Sequence, residues 1–200
     1  MGFIINLIKA VILVFAVIGF MSIGGNDFIT QKWNEFMNPP QDIMLEKAKK
    51  VGDFSKIPDE YELDKAATLL GYSGVLAEHR ASGQKLIVVD AGKKPILTPD
   101  DFEENKIEEK LNETSKKFKY KVINVQNIKI TKKGTINSFG KDIKYAKFNA
   151  KISKLPNGEA EGIISAIDLG NGQSRLLVSV NEKGKYSQII AQNFFKNVKE

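Results

Sequence analysis

Three carboxylates and one histidine are the side chains of this sequence best suited to acid–base chemistry. Glu78, Asp90 and Asp168 each lie at or near the end of a short apolar run. Two carboxylates within roughly 10 Å of each other in a cleft can activate water and protonate a leaving group. A carboxylate-dependent hydrolase is therefore one hypothesis, and it requires the fold to bring two of these residues together.

Few residues of this sequence suit a metal site or another kind of catalytic site. His79 is the single histidine, so a histidine-based metal cluster or catalytic triad has at most one member. The adjacent Glu78 and His79 are expected to point to opposite faces of a strand. The chain has no cysteine, which excludes disulfides, thiolate ligands and cysteine nucleophiles. The acidic run from Asp100 to Glu109 is expected on a helix surface, which cannot wrap a calcium ion. We expect no cofactor and no metal site.

Lysine is distributed unevenly along the chain. Residues 116–154 contain 12 lysines and one acidic residue, whereas residues 26–115 contain 12 basic and 18 acidic residues. Alternation along the expected strands predicts a basic face formed by Lys119, Lys121, Lys129, Lys147 and Lys151. This face either binds an anionic envelope component or lipid headgroups, or is a solvated surface that pairs with the acidic half. Nucleic acid is not an expected partner, because the run lacks arginine and a ladder of stacking aromatics.

The N-terminal stretch GFIINLIKAVILVFAVIGFMSIGG is long and apolar. Its 21 residues from Phe3 to Ile23 would span about 31 Å as a helix, close to the hydrocarbon thickness of a bilayer. We expect residues 1–25 to form a single-pass membrane anchor, with the body on the extracytoplasmic side because Lys9 favours an inside amino terminus. A cleaved signal peptide, which would give a secreted protein, and a buried core helix are the alternatives.

Residues 26–52 are expected to form a helical stalk beside the membrane. Aromatic residues recur at helical spacing just after the anchor, and tryptophan favours the membrane interface. We expect Phe28, Trp33 and Phe36 at that interface, although this helix could instead pack on the body or extend the anchor. Pro39 and Pro40 end it, and a second short helix is expected from Pro40 to Val51.

The remaining residues, 53–200, predict one α+β domain with an antiparallel sheet packed against two or more helices. A helix begins after the N-cap Thr98, and a closing helix is expected to bury Tyr186, Ile189, Ile190, Phe194 and Val198. The turns are expected at RASG, KKG, LPNG, GNG and EKG. The expected strands are Glu62–Leu70, Ser73–His79, Lys85–Ala91, Phe118–Thr131, Asp142–Ser153, Glu159–Leu169 and Gln173–Asn181.

The order of these elements resembles that of PsbP-like domains. The likeness runs through an early IPDEY turn into a hairpin, a middle helix, FGKDIKYAKFNAKI with two further strands, and a closing helix ending in NFFKNV. It covers residues 53–200 and implies an α+β fold, and it carries no functional residue across.

These patterns together predict a membrane-tethered, non-enzymatic domain that binds a partner protein, an anionic envelope component or a lipid surface. The membrane lipid itself is the expected partner of the N-terminal segment. A hydrolase and a secreted protein with a basic surface are the alternatives, and no pattern in the sequence indicates an oligomeric state.

Overall fold

Seven strands form a single antiparallel sheet in the order β1-β2-β3-β7-β6-β5-β4. The computed structural model describes residues 41–69, 72–90, 95, 97–103, 106–117, 125–152, 158–170 and 172–200. Within these ranges the strands are β1 (Tyr61–Leu69), β2 (Tyr72–His79), β3 (Lys85–Asp90), β4 (Val125–Ser138), β5 (Lys141–Ile152), β6 (Glu159–Gly170) and β7 (Gln173–Glu182). The helices there are α1 (Gln41–Lys49), α2 (Pro99–Glu103), α3 (Ile107–Lys117) and α4 (Gln188–Asn197).

The predicted fold class, an α+β domain with an antiparallel sheet, is confirmed. Six of the seven predicted strands agree with β1–β3 and β5–β7 to within one residue at each end. The anchor over residues 1–25 and the interface residues Phe28, Trp33 and Phe36 lie outside the described residues, as do Lys119 and Lys121. Among the residues that are described, no helix is long and apolar enough to cross a bilayer.

The sheet consists of two meanders that meet at the β3–β7 pair. The chain leaves β3 near the centre of the sheet, passes through α2 and α3, and enters β4 at the far edge. Successive hairpins then return the chain until β7 pairs with β3. Consecutive antiparallel strands are joined by short turns, so the single long connection is the one that contains α2 and α3.

Helices cover both faces of the sheet. We call the side packed against α1 and α4 the α4 face, to which Val88, Ile163 and Leu177 contribute. The side packed against α2 and α3 is the α3 face, to which Ile87 and Leu176 contribute. Strand β3 is therefore buried on both faces, and its sequence LIVV is apolar throughout rather than alternating.

Helix α1 belongs to the core of this domain. Its Ala48 and the following Val51 are buried in the cluster on the α4 face. The buried Arg175 on β7 donates from Nε to the Val51 carbonyl over 2.7 Å, and its Nη1 pairs with Asp90 over 2.8 Å. The segment predicted as the second part of a stalk is thus joined to the sheet by packing and by a buried guanidinium.

The closing helix differs from its prediction at two positions, since Tyr186 precedes the helix and Ile189 is exposed. Helix α4 begins at Gln188 and buries Ala191, Phe194 and Phe195, with Val198 buried just beyond its end. Ile189 is 78% exposed, so its predicted place in the buried stripe is wrong. Helical spacing from Phe194 reaches Ala191 and Val198, while Ile189 falls on the opposite side of the first turn.

The helix predicted from Thr98 is divided into α2 and α3. Thr98 precedes α2 as expected, and the carboxylate of Asp101 accepts a hydrogen bond from the Thr98 backbone N–H over 2.9 Å. Asp101 also pairs with Lys110 on α3 over 2.5 Å. Burial raises the pKa of Asp101, but the hydrogen bonds from Lys110 and Thr98 outweigh burial and lower this pKa below its usual value. A charged Asp101 therefore links the two helices.

The turn predicted at KKG is absent from the described structure. Lys132, Lys133 and Gly134 lie within β4, and the hairpin turns at Phe139 and Gly140, whose φ angles are 51° and 71°. A two-residue hairpin turn of this type requires positive φ at both central residues. Phe139 adopts this unfavourable conformation because its ring is buried and its N–H donates to the Val198 carbonyl.

Both edge strands of the sheet carry irregularities. Strand β1 has a register shift between Leu63 and Lys65, and β4 has two, within Gln126–Lys129 and within Ile130–Lys132. Each shift on β4 places one extra residue on that strand relative to β5, which is the pattern of a β-bulge. Asn127 within the first bulge has φ of 53°, a conformation that asparagine tolerates better than most residues.

Side chains of α3 hold the outer edge of β4. Asn112 donates to the Ile128 carbonyl over 2.9 Å and accepts from the Ile128 N–H over 3.2 Å. Glu108 accepts from the Ile130 N–H over 2.8 Å. These bonds satisfy backbone groups that an edge strand would otherwise leave open, and they fix the position of the first bulge.

We predict that Asn112→Ala lowers the free energy of unfolding by about 1–3 kcal/mol, because it removes both hydrogen bonds to Ile128, whose side chain is buried. Urea denaturation followed by circular dichroism measures the change. The control is Glu109→Ala, an exposed position on the same helix, which is expected to change stability by less than about 0.5 kcal/mol. Equal effects of the two substitutions would show that the hydrogen bonds from Asn112 to β4 contribute nothing to the free energy of unfolding.

Candidate functional site

The structure does not bring together the three carboxylates considered for hydrolysis. Asp90 pairs with Arg175 on the α4 face, whereas Asp168 lies on the α3 face beside the β6–β7 turn. Glu78 pairs with the fully buried Lys85, five residues along β3 from Asp90 and therefore roughly 16 Å away along the strand. No two of the three share a cleft.

A groove of about 280 Å³ lies on the α3 face between α2 and the ends of β5 and β6. Its carboxylates already have partners: Glu103 pairs with Lys144, Asp142 accepts from the Asn137 amide, and Asp168 accepts from the Gly170 N–H. In the described part of the chain, no group of three histidine, cysteine or acidic side chains could hold a metal ion. The groove carries no arrangement that points to catalysis.

His79 stabilises a turn. Its Nδ1 accepts a hydrogen bond from the Ser82 N–H over 3.2 Å and lies 2.9 Å from the Ser82 hydroxyl. Its ring packs edge-on against Tyr61, with the ring centroids 5.3 Å apart, while the neighbouring Glu78 bonds Lys85. The predicted RASG hairpin is thus held together by its histidine.

Four lysines form a cluster on β4 and β5. We define the lysine cluster as Lys129, Lys132, Lys147 and Lys151. Directly paired residues of antiparallel strands point to the same side of a sheet, and Lys132 pairs with Lys147 while Lys129 pairs with Asn149. Lys147, Asn149 and Lys151 alternate along β5, so all four lysines lie on the α4 face.

The bulge between Ile130 and Lys132 places Lys129 and Lys132 on one face. Lys129 and Lys132 are three residues apart, and in a regular strand an odd separation places side chains on opposite faces. The extra residue between Ile130 and Lys132 resets the alternation, so both lysines point to the α4 face. Ile130 meanwhile packs with the apolar cluster on the α3 face.

Lys147 differs from its three neighbours in the cluster. Its ammonium pairs with Glu161 on β6 over 2.6 Å, and their side chains are only 26% and 19% exposed. Nζ also lies 5.5 Å from the centre of the Tyr186 ring, a cation–π contact. Burial raises the pKa of Tyr186, with smaller effects from Tyr145 and Glu161, so its phenol stays neutral. Lys147 is therefore partly buried and ion-paired on the face that the sequence predicts to be basic.

The other three lysines of the cluster are exposed to solvent. Lys129, Lys132 and Lys151 are exposed and form no ion pair with any described residue. Glu159, opposite Lys151 on β6, pairs with Lys183; this hydrogen bond lowers the pKa of Glu159 most, and the charge of Lys151 lowers it further. Among described residues, the acidic half of the chain meets the lysine-rich segment in one ion pair, Lys144 with Glu103. The described residues of that half therefore do not neutralise the lysine cluster.

The start of α4 is fixed beside this cluster. Gln188 donates from Nε2 to the Tyr145 hydroxyl over 2.6 Å, and the Tyr145 ring lies over Gly134 on β4. A Cβ at residue 134 would lie 2.6 Å from that hydroxyl, so glycine is required for the ring to pack there. Gly134, predicted as a turn residue, thus has a packing role within a strand.

We predict that Gly134→Ala destabilises the protein by about 1–3 kcal/mol, because the added methyl displaces the buried Tyr145 ring and weakens its bond to Gln188. Urea denaturation measures the loss. Thr135→Ala, at the exposed next residue, serves as the control and should cost less. A wild-type stability for Gly134→Ala would mean that the ring has room to move.

Comparison of the chain with protein-family models and with curated proteins finds no match. The likeness to PsbP-like domains therefore stays a likeness of element order. Sequence reasoning found Lys129, Lys147 and Lys151 but missed Lys132, because KKG has the composition of a turn. Lysines recur throughout the segment from Lys129 to Lys151, and this recurrence is the sequence feature from which Lys132 could have been predicted.

Proposed function

We propose that this protein is a membrane-tethered, extracytoplasmic binding domain whose lysine cluster holds an anionic partner. The observation that carries the proposal is the set of three exposed lysines without ion-pair partners among described residues. Lys129 and Lys132 share one face because of the bulge between Ile130 and Lys132, beside which Glu108 of α3 accepts from the Ile130 N–H, so the charge is concentrated by the fold. A surface that served only solubility would not require these lysines to lie on the same face of the sheet.

The chemistry of lysine suits a phosphate-bearing surface. Each ammonium is a compact positive charge on a flexible stem, which follows a partner without fixed geometry. A lysine near an anionic membrane surface contributes about 1 kcal/mol to binding. Lipid headgroups and phosphate-containing envelope polymers share this chemistry, and the separation of the two requires experiment.

The tether supports the same function. In this proposal residues 1–25 span the membrane, and Phe28, Trp33 and Phe36 lie at its outer interface. Confinement near a surface raises the effective concentration of a weakly binding cluster, so three lysines suffice where a free domain would need more.

The binding role of the lysine cluster is tested with the full chain in phosphatidylcholine nanodiscs. Replacement of Lys129, Lys132 and Lys151 by glutamine should weaken binding of inorganic polyphosphate about a hundredfold, since three lysines contribute about 3 kcal/mol. Isothermal titration gives the dissociation constant. The matched control replaces Lys106, Lys133 and Lys144, three exposed lysines associated with the opposite side of the sheet.

A second arm of that experiment adds phosphatidylglycerol to the nanodiscs and measures acetylation of each lysine by mass spectrometry. Protection of Lys129, Lys132 and Lys151 but not of Lys144 identifies the lipid as the partner, whereas polyphosphate binding without such protection identifies a polymer. If the two triple variants behave alike in both arms, the lysine cluster has no binding role.

The proposed membrane anchor over residues 1–25 is tested separately. Mass spectrometry of the mature protein should find residues 1–25 still attached, and protease added to intact cells should digest the body. An amino terminus near residue 25 would instead identify a secreted protein. Protection of the body from protease until the cells are lysed would reverse the proposed orientation.

A further inference from the structure

The exposed large apolar side chains of the described residues lie on one side of the molecule. They are Ile43 and Leu45 on α1, which are 39% and 46% exposed, and Ile189 on α4, which is 78% exposed. Both helices cover the α4 face of the sheet. The described parts of α2 and α3, on the other side, expose no large hydrophobic residue. Singly exposed apolar residues are common on protein surfaces, and in the described chain the large ones are confined to the helical layer on the α4 face.

The lysine cluster opens on this same side. Ile189 follows Gln188, whose amide bonds Tyr145, and Tyr145 is two residues from Lys147 on the same face of β5. Lys147 in turn lies over the ring of Tyr186, three residues before Ile189. These contacts connect the most exposed apolar side chain of the described residues to Lys147, whose neighbour across the β4–β5 pair is Lys132.

The length of the chain before α1 limits how far this side can be from a membrane. Fifteen residues, 26–40, separate the proposed anchor from α1. Whatever their conformation, they extend at most about 50 Å. Helix α1 is the described element that this segment reaches first, and it carries two of the three exposed apolar residues.

From these observations we infer that the domain lies on an anionic lipid bilayer with α1 and α4 toward the lipid. Ile43, Leu45 and Ile189 enter the headgroup region, while Lys129, Lys132 and Lys151 bind lipid phosphates around Ile189. Apolar residues flanked by lysines are the combination by which interfacial helices bind anionic membranes. This orientation rests on the proposed function and names the lipid as the partner.

The absence of cysteine allows a direct test with single labels. Leu45→Cys and Ile189→Cys are labelled with an environment-sensitive fluorophore in the full chain, reconstituted in nanodiscs containing phosphatidylglycerol and spin-labelled lipid. Glu109→Cys and Glu113→Cys, exposed on α3, are the matched controls. We expect lipid quenching several-fold stronger at residues 45 and 189 than at residues 109 and 113.

The pattern of quenching separates failure of this orientation from failure of the proposed function. Equal quenching on both sides, or stronger quenching on α3, overturns the orientation. A label at residue 189 that neither lipid nor aqueous iodide quenches in native membranes indicates a protein partner and also overturns it. Quenching at residue 189 should fall when Lys129, Lys132 and Lys151 are replaced by glutamine. If it is unchanged, and phosphatidylglycerol has no effect, the proposed function of the lysine cluster is wrong.

Discussion

The hydrogen bonds from α3 to the edge of β4 are the interaction on which the arrangement of this domain depends. An edge strand has open backbone groups and no neighbour to fix its register. Asn112 supplies both a donor and an acceptor to Ile128, and Glu108 supplies an acceptor to Ile130. The bulged register that results decides which side chains of β4 face α4, and hence where the lysines project.

Much of the fold follows from local sequence patterns, and the errors have physical causes. The turn residues and alternating runs located six strands to within one residue, because hairpins are specified by neighbours in sequence. KKG was misassigned because Gly134 is required by the ring of Tyr145, a residue on another strand. The misplacement of Ile189 reflects a helix start fixed by Gln188 and Tyr145 rather than by local propensity.

The candidate site was predictable only in part for a related reason. The lysine-rich segment was visible in composition, and alternation along β5 correctly placed Lys147 and Lys151 on one face. Bulges leave little trace in sequence, so the shared face of Lys129 and Lys132 could not be derived. The pairing of Lys147 with Glu161 required knowledge that β6 lies beside β5 at that position.

The irregular edges of the sheet are poorly suited to pairing with an additional strand. Many peptide-binding domains extend their sheet by one strand contributed by the ligand, and the main-chain hydrogen bonds then supply the affinity. Here β1 and β4 are both bulged, and polar side chains of α3 already occupy part of the edge of β4. A ligand strand added at either edge would therefore meet a ladder that a bulge interrupts.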